Sequence, residues 1–151
     1  YVPTYERFVD ERDFESLVRN YFEQYLGQFP AQVFDKINEN FIRCSFFELV
    51  SRYLSSCYTF AIEQNNSEGR ADFEMTGIPG TDYYTDDRLV EFKYYKAKEA
   101  EKMLGLDAPL PEHVEQVHRY AEDTLRHFPN YKVRTYVVYI CANRGWKCWE
   151  V

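Results

Sequence analysis

Between residues 57 and 95 three short segments, CYTFAIEQ, RADFEM and LVEFKYY, follow one another, each dense in β-branched or aromatic residues and bounded by turn chemistry. Runs of that kind read as strands, and their apolar faces need cover that strands alone do not supply. Helical periodicity provides it. From residue 11 to about residue 28, Phe14, Leu17, Val18, Tyr21, Phe22 and Tyr25 recur at helical spacing, with Asp10 as a cap and Gly27 and Pro30 as the stop. A second stretch, from about residue 39 to residue 56, builds a broad apolar face from Phe41, Ile42, Phe46, Leu49, Val50, Tyr53 and Leu54, leaving Glu48, Arg52 and Ser55 off it.

Asn65, Asn66, Ser67 and Gly69 form the first turn between strands. The second connection, TGIPGTDYYTDD, is too long for a tight hairpin and reads as an exposed acidic loop in which Asp82, Asp86 and Asp87 are solvated. Helical signals return from about residue 97 to 104 and from about 112 to 127, the latter entered through DAPLP. YKVRTYVVYICA is another strand, and GWKCWEV a last or edge strand. The expected architecture is α/β, a central mixed β-sheet flanked by helices in the order α-β-β-β-α-β. At 151 residues with 45% hydrophobic residues, the chain fits one domain, with residues 1–38 as a helical extension and residues 39–151 as the core.

Several function classes drop out. There is no GxGxxG and no GxxxxGK[ST] for a dinucleotide or P-loop site. His113, His118 and His127 lack zinc-site spacing, and the aspartates of the acidic loop lack the ligand spacing of an EF-hand. Cys44, Cys57, Cys141 and Cys148 contain no CxxC pair and read as reduced thiols. No apolar run approaches the ~20 residues of a membrane span, so a soluble, cytoplasmic protein is expected. The first residue is Tyr1, with no initiating Met, so a processed product or part of a longer chain is expected. A net charge of −7 argues against a broadly basic nucleic-acid surface. It leaves room for a cation held by carboxylates.

Strand parity points to such a place. Glu91 and Lys93 share one face of their strand while Val90, Phe92 and Tyr94 take the other; in the preceding strand Arg70, Asp72 and Glu74 share a face. If the strands are neighbours, Asp72 stands beside Glu91 and Lys93. Adjacent carboxylates repel unless a proton or cation separates them, and a divalent ion is the usual cation. With an ammonium alongside, the set has the parts for phosphodiester hydrolysis. The plain alternative is a solvated strand face with cross-strand ion pairs. Glu74 is either an extra ligand or an outer-strand charge.

GRADFEM, then fifteen residues, then EFK resembles the core of the PD-(D/E)XK nucleases. More narrowly, EQNNSEGRADFEM, LVEFKYYKAKEA and EQVHRYAE resemble the nuclease-like domain near the C-terminus of many prokaryotic AAA-ATPase-like proteins, over roughly residues 40 to 140. The resemblance implies a restriction-endonuclease-like fold and a Mg2+- or Mn2+-dependent nuclease, with DNA favoured over RNA and an ATPase-like domain in the same full-length chain. It implies Asp72 and Glu91 as metal-binding catalytic carboxylates, Lys93 as the catalytic lysine and the Phe92 carbonyl as a further ligand. Glu48 matches the acid that the preceding helix often supplies; an exposed pair with Arg52 is its alternative. Gln116 and Tyr120 match the Gln-x-x-x-Tyr pattern of RecB-type members and face the substrate or steady Lys93, with core packing as the other reading. Arg70 would grip phosphate, and Ala71 stands where the name-giving pattern has Pro. The rival function is a catalytically inactive interaction module of the same fold; an acidic mimic of nucleic acid is a weaker third.

Overall fold

The structure, a computed structural model, describes residues 1–63 and 71–151. The turn expected at Asn65, Asn66, Ser67 and Gly69, and Arg70 with it, lies outside the described residues. A five-stranded mixed sheet forms the centre: β1 (Tyr58–Ile62), β2 (Phe73–Gly77), β3 (Asp86–Tyr95), β4 (Lys132–Cys141) and β5 (Gly145–Glu150), in spatial order β1-β2-β3-β4-β5. β1, β2 and β3 pair antiparallel, β3 pairs parallel with β4, and β5 returns antiparallel on β4. A parallel pair needs a crossover. Two helices make it, α4 (Ala97–Leu104) and α5 (Pro111–His127).

Alternation along the strands divides the interior into two cores. Phe73, Met75, Val90, Phe92, Tyr136, Val138 and Ile140 pack with α1 (Val2–Glu11), α2 (Phe14–Asn20) and α3 (Glu39–Leu54). Leu89, Val137, Tyr139 and Cys141 pack on the other face with Ala100 and Met103 of α4 and Val117 and Tyr120 of α5. The expected α/β sandwich is therefore present. All four cysteines are free, and among the described residues no helix is long and apolar enough to cross a membrane.

Two local expectations fail for identifiable reasons. The single helix expected to start at an Asp10 cap is broken: Asp10 lies inside α1, Arg12 adopts a left-handed conformation (φ 59°), and Asp13 becomes the N-cap residue of α2. The break has a use. It turns the Arg12 carbonyl toward Arg88, whose buried guanidinium donates to it at 3.1 Å and to the Tyr136 hydroxyl at 2.7 Å. Beyond α2 the chain continues through a π-helical turn (Tyr21–Tyr25) and a 3-10 turn (Leu26–Gln28).

The acidic loop is also shorter than expected, because Asp86 and Asp87 belong to β3. Asp87 is fully buried and accepts a hydrogen bond from Thr76 at 2.8 Å, while Asp86 pairs with Arg88 and accepts from Tyr58. Burial, then hydrogen bonding and charge from Glu74, raise the Asp87 pKa and favour a proton shared by the pair. Glu74 thus neighbours Asp87 in the sheet, where the sequence left a metal role open for it.

Gly77 closes β2 with its backbone against the returning loop. A Cβ there would lie 1.5 Å from the Tyr83 carbonyl oxygen, whereas one at Gly27 meets only a carbonyl at 3.7 Å. Gly77→Ala is expected to cost about 2–3 kcal/mol in chemical denaturation and Gly27→Ala less than about 1 kcal/mol. Equal effects would contradict this packing.

Candidate active site

Continuing the β2–β3 register one step beyond the Phe73–Val90 pair sets Asp72 opposite Glu91. Asp72 stays beside β3 at that step, since its carboxylate accepts from the Phe92 N–H and its charge acts on Glu91, while on its other side Glu63 N–H donates to the Asp72 carbonyl at 3.2 Å past the end of β1. Asp72 sits at the mouth of β2 and is 7% exposed. Its two carboxylate oxygens have different partners. Oδ1 accepts from Arg43 Nη1 of α3 at 2.8 Å, and Oδ2 accepts from the Phe92 backbone N–H at 2.9 Å.

Glu91 is 1% exposed, and among the described residues neither of its carboxylate oxygens accepts a well-aligned hydrogen bond. Lys93 Nζ stands 3.2 Å from Oε1, an ion-pair distance without hydrogen-bond alignment. The same ammonium lies 3.5 Å from Oε1 of Glu39, the first residue of α3. Burial raises the Glu91 pKa, the negative charge of Asp72 raises it further, and Lys93 pulls it back only in part. For Lys93 itself burial acts downward but is outweighed by Glu91 and Glu39, so its pKa rises and it remains an ammonium. Glu39 is raised mainly by burial, against the opposing pull of Lys93.

The site therefore joins Asp72, Glu91 and Lys93, as strand parity requires, and adds Arg43 and Glu39. Neither addition belongs to a sequence motif. Their signal was there: they lie four apart on a helix, so they share a face, but nothing local says that this face meets the open end of β2. Glu48, the helix acid expected at the site, is elsewhere. It is largely exposed and pairs with Arg52 at 2.6 Å. Nine residues beyond Glu39, it lies about 13 Å further along the helix axis.

α5 runs over the same sheet face. His113, near its start, is buried against Tyr139, which lies opposite Lys93 in the β3–β4 register. Tyr120, two turns later, is 8% exposed and lines a cavity of about 240 Å³ with Leu89, Glu74 and Asp123. Gln116 lies between them and donates through Nε2 to the Tyr120 hydroxyl at 3.0 Å. The expected Gln116–Tyr120 pairing on one helix face is present, but the contacts of Lys93 are with Glu39 and Glu91.

Asp72, Glu91 and the Phe92 carbonyl fit a hard divalent cation. The donors are all oxygen, and Glu91 is a buried carboxylate whose oxygens lack hydrogen-bond donors. Among the described residues no three His, Cys, Asp or Glu side chains are gathered into a metal cage. Two carboxylates suit Mg2+, which commonly keeps water and substrate phosphate as its remaining ligands. A cation on Asp72 Oδ1 requires Arg43 to yield that oxygen; Asn40 Oδ1, 3.2 Å from Arg43 Nη2, offers the guanidinium another partner.

The raised Glu91 pKa fixes a sign. The folded state holds this proton while the unfolded state releases it, so stability falls as pH climbs from the ordinary carboxylate range through the raised pKa, and levels above it. Without divalent cations, Glu91→Gln is expected to raise the melting temperature, more at about pH 9 than at about pH 5. A gain independent of pH would mean that Glu91 ionises normally.

The family model for the PD-(D/E)XK nuclease superfamily matches residues 37–150. A search of curated proteins found no match.

Proposed function

The chain belongs to the PD-(D/E)XK nuclease superfamily, and we propose that it is a divalent-metal-dependent nuclease that hydrolyses phosphodiester bonds, acting on DNA in preference to RNA. The observation that carries this reading is Glu91, a carboxylate buried between Asp72 and the Lys93 ammonium whose oxygens accept no well-aligned hydrogen bond among the described residues. A protein gains little stability from such a group, and a catalytic site has use for it.

Asp72, Glu91 and the Phe92 carbonyl would hold Mg2+ or Mn2+, which supplies charge to polarise the scissile phosphate and offset the negative charge developing on it. Asp72 is fixed by the Phe92 N–H and so presents a defined carboxylate edge. Lys93 stays protonated, so it donates hydrogen bonds and does not abstract a proton: it orients the attacking water and stabilises charge on the phosphate. Glu39 restrains the Lys93 ammonium from the α3 side. Gln116 and Tyr120, hydrogen-bonded to each other on α5, are assigned to the substrate backbone, and Arg70, outside the described residues, to phosphate.

One observation favours a second reading. Arg43 already neutralises Asp72 through a buried 2.8 Å ion pair, as in a nuclease fold kept as a binding module without catalysis. The two readings separate on metal and turnover. With DNA or RNA and Mg2+ or Mn2+, the nuclease reading predicts cleavage that falls at least about 100-fold in Asp72→Ala and Lys93→Ala. Glu39→Gln is expected to fall less, and Glu48→Ala to keep wild-type activity. Cleavage that survives Asp72→Ala and Lys93→Ala would refute the assignment. Absence of both cleavage and a calorimetric Mn2+ site would leave the binding module.

A further inference from the structure

The side chain that the nuclease reading leaves unused is His113. It is 8% exposed, in the first turn of α5, and its Nδ1 lies 2.6 Å from the Tyr139 hydroxyl. That hydroxyl accepts a hydrogen bond from the Leu110 backbone N–H at 2.9 Å. Its own hydrogen then needs an acceptor; the Tyr95 hydroxyl also borders the phenol, and His113 Nδ1 at 2.6 Å is the acceptor in hydrogen-bonding geometry among the described residues. Burial raises the Tyr139 pKa, so the phenol keeps that hydrogen, and burial lowers the His113 pKa, so the ring is neutral. A neutral imidazole that accepts at Nδ1 carries its proton on Nε2. Nε2 makes no hydrogen bond among the described residues.

The fold puts this donor in a particular place. Tyr139 and Lys93 are opposite one another on adjacent parallel strands and on the same sheet face, so the ring seated on Tyr139 is a neighbour of the Lys93 ammonium. His113 lies close enough to the site to feel the charges of both Lys93 and Asp72. Building on the nuclease reading, we propose that His113 donates its Nε2–H to a non-bridging oxygen of the substrate phosphate, and that Tyr139 is the positioning residue that fixes the tautomer. A neutral donor suits this position because a second cation would compete with Lys93 for Glu91.

The test has two arms. Long-range proton–nitrogen NMR of the 15N-histidine protein is expected to show His113 protonated at Nε2 and bare at Nδ1, with the preference lost in Tyr139→Phe. Adding 5′-phosphorylated thymidine dinucleotide with Ca2+, in place of the catalytic cation, is expected to shift the Nε2–H proton downfield. A ring protonated at Nδ1, or an Nε2–H resonance that the dinucleotide leaves unmoved, overturns the proposal without reference to turnover. In the second arm kcat/KM is expected to fall roughly tenfold or more in His113→Asn and to recover in His113→Gln, whose amide reaches the Nε2 position. A merely structural role predicts the reverse, since Asn preserves the Nδ1 contact with Tyr139. Failure of the nuclease reading shows separately, as cleavage indifferent to Asp72 and Lys93.

Discussion

The Asp72 carboxylate divides its two oxygens between a helix and a strand, and the geometry of the site depends on that division. Arg43 brings α3 to one oxygen, and the Phe92 N–H brings β3 to the other. Both contacts are buried, and an Asp72 left without either would be an uncompensated charge in a poorly polarisable place, a loss on the order of 3–5 kcal/mol when one partner of such a pair is removed. Through them the N-terminus of α3 is held over the end of β2. That is why Glu39 reaches Lys93 although the two are far apart in sequence.

With Asp72 fixed, the chemistry is a matter of charge balance. Glu91 faces Asp72 across the β2–β3 pair in a place where two ionised carboxylates are costly, and a proton on Glu91 is the response in the metal-free protein. A divalent cation is the other response. The Asp87–Glu74 neighbours solve the same problem with a proton and a threonine hydroxyl. The difference between the pairs is the ammonium: Lys93 stands beside Glu91, while Asp87 has Thr76. A carboxylate pair with an adjacent cationic donor has the parts for hydrolytic chemistry, whereas the Asp87 pair has a hydroxyl on one oxygen and no cation beside it among the described residues.

Strand parity and element order anticipate that Asp72, Glu91 and Lys93 lie together. Period-2 alternation puts Glu91 and Lys93 on one face whatever the tertiary fold, and the antiparallel neighbour brings Asp72 to them. What the sequence could not convey came from contacts between distant segments. Glu48 and Glu39 are equally polar residues of one helix, and only the crossing of α3 over β2 selects Glu39. Asp86 and Asp87 read as loop residues by composition, because Tyr58 of β1 and Thr76 of β2 become their partners only once the sheet assembles. Arg12 breaks a periodic helix for a carbonyl needed by Arg88, 76 residues away. His113 lacked any metal-site spacing, and its interest arises from Tyr139, on a strand that follows it.

In the proposed nuclease, Asp72 and Glu91 share one divalent cation in exchange for the proton on Glu91 and the guanidinium of Arg43. Crystals grown with Mn2+ and measured at its absorption edge test this most directly. The account predicts an anomalous peak bonded to oxygens of both Asp72 and Glu91, with Arg43 moved off Asp72 Oδ1. Crystals with saturating Mn2+ that show no peak there, and Arg43 still paired to Asp72, would contradict it.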